Sequence, residues 1–183
     1  MGSRASQELI GVEEYLAGEK DSEVRHEYVA AHVYARVGAS VYHNRIALAL
    51  ASELRSKLKG RSCDVFLSDM KLRAADAFYY PDVMVCCDTA DNDPYTKTRP
   101  IFIAEVLSPA SRTIDEREKQ MAYQCLLSLP EYLLLEQDRA KVRLYRRQDN
   151  RWVVLQIGSE GVMDLHSLAL MVSVETLYEG AWR

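Results

Sequence analysis

The chain has 183 residues, 48% of them apolar, and a formal net charge of −4. That length fits one domain with a sizeable core, and the lack of a low-complexity tract argues for a globular fold. The acidic balance excludes a strongly basic nucleic-acid binder but not a nuclease, whose carboxylate-rich site is itself acidic, and no apolar run approaches the roughly 20 residues of a membrane span.

The first ten residues read as a flexible tail on a domain spanning 1–183. A short amphipathic start near Val12 to Leu16 leads through the charged stretch 19–25 into two extended pieces, Glu27 to Val29 and His32 to Val37, which together resemble a hairpin. Ser40 then precedes a segment in which Ile46, Leu50, Leu54 and Leu58 recur every four residues with Ala47 and Ala51 beside them. One face is therefore apolar, and the pattern predicts a long helix ended by Gly60. Short strands are expected at Cys63 to Leu67 and Met70 to Arg73, followed by two apolar strands around 79–87 and 100–108. The polar loop between those two strands, Asp88 to Arg99, is too short for a crossover helix, so they are expected to be antiparallel neighbours.

Beyond Pro109, residues 113–127 read as a helix, Tyr132 to Glu136 as a buried strand, and Lys141 to Arg147 with Arg151 to Ile157 as a hairpin turning at Asp149-Asn150. Ser173 is expected to cap a final helix through Tyr178. Cys63, Cys86, Cys87 and Cys125 show no Cys-x-x-Cys spacing and read as core thiols in a reducing cytosol, ahead of disulfide or zinc readings. With no secretory signal, the expected compartment is the cytoplasm.

Two carboxylates stand out. Asp82 follows Pro81 at a strand entrance, and Glu105 interrupts the apolar run Ile101, Phe102, Ile103, Ala104, Val106, Leu107. An unpaired buried carboxylate costs several kcal/mol or more, and two on neighbouring strands are most simply explained by a shared divalent metal. The following helix carries Asp115, Lys119 and Tyr123 at four-residue spacing. Lys119 would supply the cation that phosphodiester hydrolysis needs beside hard oxygen ligands. Plainer readings stand beside these: Asp115 with Lys119 as an exposed helical ion pair, Glu105 paired with a core arginine, and Tyr123 packed against the sheet or turned to the metal. His43 is read as structural, Ser108 as a turn cap and Trp152 as a core anchor. Arg143, Arg146, Arg147 and Arg151 form a basic run that is either a solvated hairpin face or a set of phosphate contacts.

The order Tyr80-Pro81-Asp82-Val83, then Glu105-Val106-Leu107-Ser108-Pro109, then Lys119 on the next helix resembles the PD-(D/E)XK nuclease superfamily with a migrated lysine. Within it, the chain resembles the Uma-type restriction endonuclease family. Tyr28, Gly38-Ala39-Ser40, His43-Asn44-Arg45-Ile46, Glu131-Tyr132-Leu133, Trp152 and Leu177-Tyr178-Glu179 extend the likeness over nearly the whole chain. The resemblance implies an α/β fold, with a restriction-endonuclease-like mixed β-sheet flanked by helices in a single domain. It also implies Asp82, Glu105 and the Val106 carbonyl as ligands of Mg²⁺ (or Mn²⁺), and Lys119 as the group that positions or activates water. Glu27 maps onto an accessory acidic position, although Ala30-Ala31 stands where the family usually has an Asp-Gly turn. The implied activity is hydrolysis of DNA, with no membrane partner and a homodimer as the self-association to consider. A catalytically silent nucleic-acid-binding or protein-interaction module with the same fold is the alternative, and RNA or a smaller phosphoester the second enzymatic one.

Overall fold

A computed structural model of the chain describes residues 9–36, 38–109 and 114–183, apart from the side chains of residues 114 and 115. Its central element is a six-stranded sheet of order β11-β10-β9-β8-β6-β3. These strands span Asp64–Leu67 (β3), Val83–Cys86 (β6), Phe102–Leu107 (β8), Glu131–Glu136 (β9), Lys141–Gln148 (β10) and Arg151–Gly158 (β11). As the loop length required, β6 and β8 are antiparallel; β8 and β9 are the one parallel pair in this sheet. Their connection carries a π-helical segment, Ile114–Lys119, that runs into α3, Gln120–Gln124. The start of the helix expected from residue 113 lies outside the described residues.

Strand alternation sorts the core into two layers. Val83, Val85, Phe102, Ala104 and Val106 pack with Leu133, Leu135 and the apolar stripe of α2, Val41–Lys57. Ile46, Leu50, Leu54 and Leu58 of that stripe are all buried, as their spacing predicts, and the Ser40 hydroxyl caps the helix by accepting from the His43 N–H. Met84, Ile103, Leu107, Tyr123, Tyr132 and Leu134 form the other layer. Every residue of β8 and β9 is buried, which explains their nearly unbroken apolar sequence.

A second sheet joins the expected hairpin and the strand expected at Met70 to Arg73 in an assembly not foreseen from the sequence, of order β2-β1-β5-β4-β7. It comprises His26–Val29 (β1), His32–Ala35 (β2), Lys71–Ala74 (β4), Ala77–Tyr79 (β5) and Thr96–Lys97 (β7), with α1 at Val12–Lys20. The β1–β2 hairpin forms with Ala30 and Ala31 at φ of 49° and 64°. This left-handed pair is what a tight hairpin turn demands, and it is costly for alanine. A small hairpin of β12, Val162–Leu165, with β13, Leu170–Ser173, was also missed. It leads into α4, Val174–Tyr178, where Ser173 occupies the cap position without a capping side-chain bond.

The cysteine reading is corrected: Cys63 and Cys87 form a disulfide. The β3–β6 register sets Asp64 opposite Cys86, so the next pair outward brings these two together, a proximity that strand pairing creates and sequence spacing does not reveal. Cys86 stays a buried thiol, its pKa pushed up to about 12 chiefly by burial, and Cys125 is exposed. No helix among the described residues is long and apolar enough to cross a membrane.

Candidate active site

The register of β6 against β8 pairs Val83 with Ala104, and one further step along it sets Asp82 opposite Glu105. Backbone bonds lock the two together. The Asp82 N–H donates to Glu105 Oε2 at 3.3 Å and the Val106 N–H donates to Asp82 Oδ2 at 2.8 Å. Both carboxylates are buried.

Glu105 is held from the helical side. The Tyr123 hydroxyl donates to Glu105 Oε1 at 2.7 Å, and Lys119 Nζ stands 3.4 Å from the same oxygen. Lys119 ends the π-helical segment and Tyr123 lies four residues on, within α3, so one helical face brings both to Glu105. Tyr123 also packs edge-on to Tyr79 and Tyr132, with ring centroids 5.6 Å away in each case, so its ring packs in the core while its hydroxyl meets Glu105. Lys119 Nζ makes its shorter contact, 2.9 Å, with Glu27 Oε1 from β1. The β1–β2 hairpin therefore delivers Glu27 to the lysine despite its alanine turn. Burial first, and then the nearby Glu105 and Glu27 charges, push the Tyr123 hydroxyl well above the ordinary tyrosine range. It stays a donor at any working pH. The side chain of Asp115 lies outside the described residues.

Asp82 is held from the opposite direction by groups whose role here sequence reasoning missed. His43 Nε2, on the first turns of α2, is 2.9 Å from Asp82 Oδ2. Arg36 Nη2, just past β2, is 3.6 Å from Oδ1, and the Ser68 hydroxyl is 3.4 Å from it. Burial alone would raise the Asp82 pKa, but the His43 bond and charge, the Val106 N–H and Lys119 together hold it below its ordinary value. The only signal for His43 was its place in the His43-Asn44-Arg45-Ile46 motif; Arg36 gave none.

The donor chemistry of Asp82 and Glu105 is that of hard oxygen ligands, which suits Mg²⁺ or Mn²⁺. Such ions take one or two protein carboxylates and keep several waters. No cluster of three or more His, Cys, Asp or Glu side chains stands ready to hold a metal among the described residues. A two-carboxylate site completed by water or substrate oxygens is the arrangement these residues fit. Val106 meets the pair through its N–H.

The basic hairpin is engaged elsewhere. Arg143 is paired with Glu116 and stands 3.6 Å from Glu136, and Arg146 Nε donates to Glu131 at 2.7 Å. Arg147 donates to the carbonyls of Gln124, Leu126 and Leu129 and stacks 4.6 Å over Trp152. Arg151 is exposed.

Known proteins resemble this chain in fold and in sequence. A crystal structure titled as that of a "putative nuclease belonging to DUF820" from Anabaena variabilis superposes with a TM-score of 0.78, covering 94% of this chain and 99% of the other at 20% identity, a likeness of fold. Two Synechocystis proteins named as uncharacterized are similar in sequence. The one called slr1290 is 31% identical over 175 residues, covering 93% of this chain and 92% of its own length. The one called sll1609 is 32% identical over 162 residues, covering 85% and 92%. The Uma2 family model, described as "Putative restriction endonuclease", matches residues 12–176, and the chain belongs to that family.

Proposed function

We propose that this protein is a Mg²⁺- or Mn²⁺-dependent endonuclease that hydrolyses DNA phosphodiester bonds in the cytoplasm. The observation that carries the reading is Lys119, a buried ammonium between Glu27 and Glu105, with Glu105 set opposite Asp82 by the β6–β8 register. Asp82 and Glu105 would hold the cation, with the Val106 carbonyl a further candidate ligand. A divalent ion bound there lowers the pKa of its water and neutralises charge on the phosphate. Lys119 orients the attacking water and stabilises charge developing on the phosphorane, with Glu27 fixing the ammonium from the far side. Tyr123 keeps the Glu105 carboxylate in place. Hydrolysis adds the water oxygen to phosphorus and breaks one P–O ester bond, and the departing oxygen leaves as a hydroxyl after taking up a proton.

Family membership and the nuclease named in the Anabaena title support this reading. One observation favours the catalytically silent alternative: protein donors already meet oxygens of both carboxylates. Cleavage of single-stranded, nicked and duplex DNA with Mg²⁺ or Mn²⁺ decides between them. The wild type is expected to cut at least one of the three, and Asp82→Asn to cut it about a hundredfold more slowly or worse. Mn²⁺ binding, read by electron paramagnetic resonance, should weaken in the same variant. A wild type that cuts none and binds no Mn²⁺ supports the silent module.

A further inference from the structure

A cavity of about 340 Å³ opens beside Asp82, and the reading above gives it no task. Arg25, Arg36, His43, Asn44, Ser68 and Asp82 help to wall it, and Asp69 adds a second carboxylate. Two arginines thus share one concavity with a residue of the candidate active site.

Among the described residues, neither guanidinium donates a hydrogen bond to a carboxylate. Arg25 Nη1 faces the carbonyls of Glu19 at 3.4 Å and Ser22 at 3.3 Å, both neutral acceptors at long range. Arg36 Nη2 lies 3.6 Å from Asp82 Oδ1, beyond hydrogen-bond reach, and its guanidinium sits 5.6 Å over the Tyr80 ring. The aromatic face restrains the guanidinium without using its donors. Each guanidinium carries five N–H groups in a fork that matches phosphate oxygens, so most of that capacity remains for a ligand. The contrast with β10 and β11 is direct, since Arg143, Arg146 and Arg147 there are held by carboxylates and carbonyls of the fold.

We infer that this cavity is a phosphate subsite, in which Arg36 and Arg25 grip a backbone phosphate of a nucleic-acid strand and Asn44 and Ser68 supply neutral donors. The identity of the strand rests on the nuclease reading; the anion chemistry of the cavity does not. The subsite adjoins Asp82, so a strand held there lies beside that carboxylate. Contacts to phosphate fix position and carry no base information, so the subsite sets affinity and leaves sequence preference untouched.

The test is fluorescence anisotropy with a short labelled DNA duplex in EDTA over a range of salt concentrations, with thermal midpoints to show that each variant is folded. Arg25→Gln and Arg36→Gln should each weaken binding by about tenfold and lower the salt slope by about one, and Arg151→Gln should change neither. Arg36→Lys, which keeps the charge and loses the fork, should retain the slope while losing part of the affinity. Wild-type affinity and slope in both glutamine variants overturn the subsite, as does an equal loss in Arg151→Gln or a wild type that binds no duplex. Cleavage of the same duplex with Mg²⁺ judges the nuclease reading separately. Cutting with unchanged KM in both variants removes the subsite and keeps the nuclease, whereas arginine-dependent binding without cutting keeps the subsite and removes the nuclease.

Discussion

Asp82 and Glu105 lie opposite each other on paired strands, yet they are held in different ways. The side chains beside Asp82 are partly solvent-accessible, 12% for His43 and 25% for Arg36, and both line an open cavity. Those on Glu105 are shut away, with the Lys119 side chain 6% exposed and Tyr123 fully buried. An ion contact near solvent is cheap to exchange, whereas a buried one cannot be opened without stranding a charge. The pair therefore combines one carboxylate that can trade protein donors for an incoming ligand with one that the interior fixes beforehand.

The largest test of this contrast is Lys119→Met. It removes the cation between Glu27 and Glu105 and should cost about 3–5 kcal/mol of stability as well as roughly a hundredfold or more in single-turnover rate. Adding Glu27→Gln should restore part of the stability and none of the rate, a pattern read from urea unfolding beside cleavage. Unchanged stability in Lys119→Met would show that the Glu105 side is not closed. Next in size, Tyr123→Phe deletes the 2.7 Å bond to Glu105 and should cost about 1–2 kcal/mol in the same unfolding measurement.

The Asp82 side should respond to pH. Its carboxyl is held below the unfolded value, so its contribution to stability is present above roughly pH 4 and is lost as pH falls through the folded pKa. His43→Asn removes the foremost cause of that lowering. In EDTA, stability at neutral pH should drop by about 1 kcal/mol and the acid-unfolding midpoint should rise. An unmoved midpoint would mean that His43 does not hold Asp82. The smallest expected effect is a gain: Ala31→Gly relieves a left-handed alanine and should add about 0.5–1 kcal/mol, visible as a higher thermal midpoint.

Strand density and periodicity made the main sheet legible. The run around Glu105 reads as a strand buried on both faces, and the four-residue spacing of Ile46, Leu50, Leu54 and Leu58 reads as a helix against a core. From these and the loop length came the antiparallel pair that sets Asp82 opposite Glu105. The β1–β2 hairpin and β4 were legible as extended pieces, but their assembly into a second sheet was not, because its strands are two to four residues long and β1 meets β5 through a single register pair, Tyr28 with Phe78. Local pattern cannot specify so brief a contact. His43 and Arg36 eluded the reading for a related reason, since they reach Asp82 only after α2 and the β1–β2 hairpin have docked. The π-helical turn that ends at Lys119 leaves no periodic mark in six residues.

The β1–β2 hairpin has a mechanical consequence. Glu27 sits on one arm and Arg36 just beyond the other, and four cross-strand pairs from His26 with Ala35 to Val29 with His32 tie the arms together. The hairpin thus behaves as a short lever. A ligand that draws Arg36 away from Asp82 tugs the same lever that presses Glu27 against Lys119. Arg36 on the open side and Glu27 on the closed side therefore belong to one short ribbon, so the positions of the two side chains are not set independently.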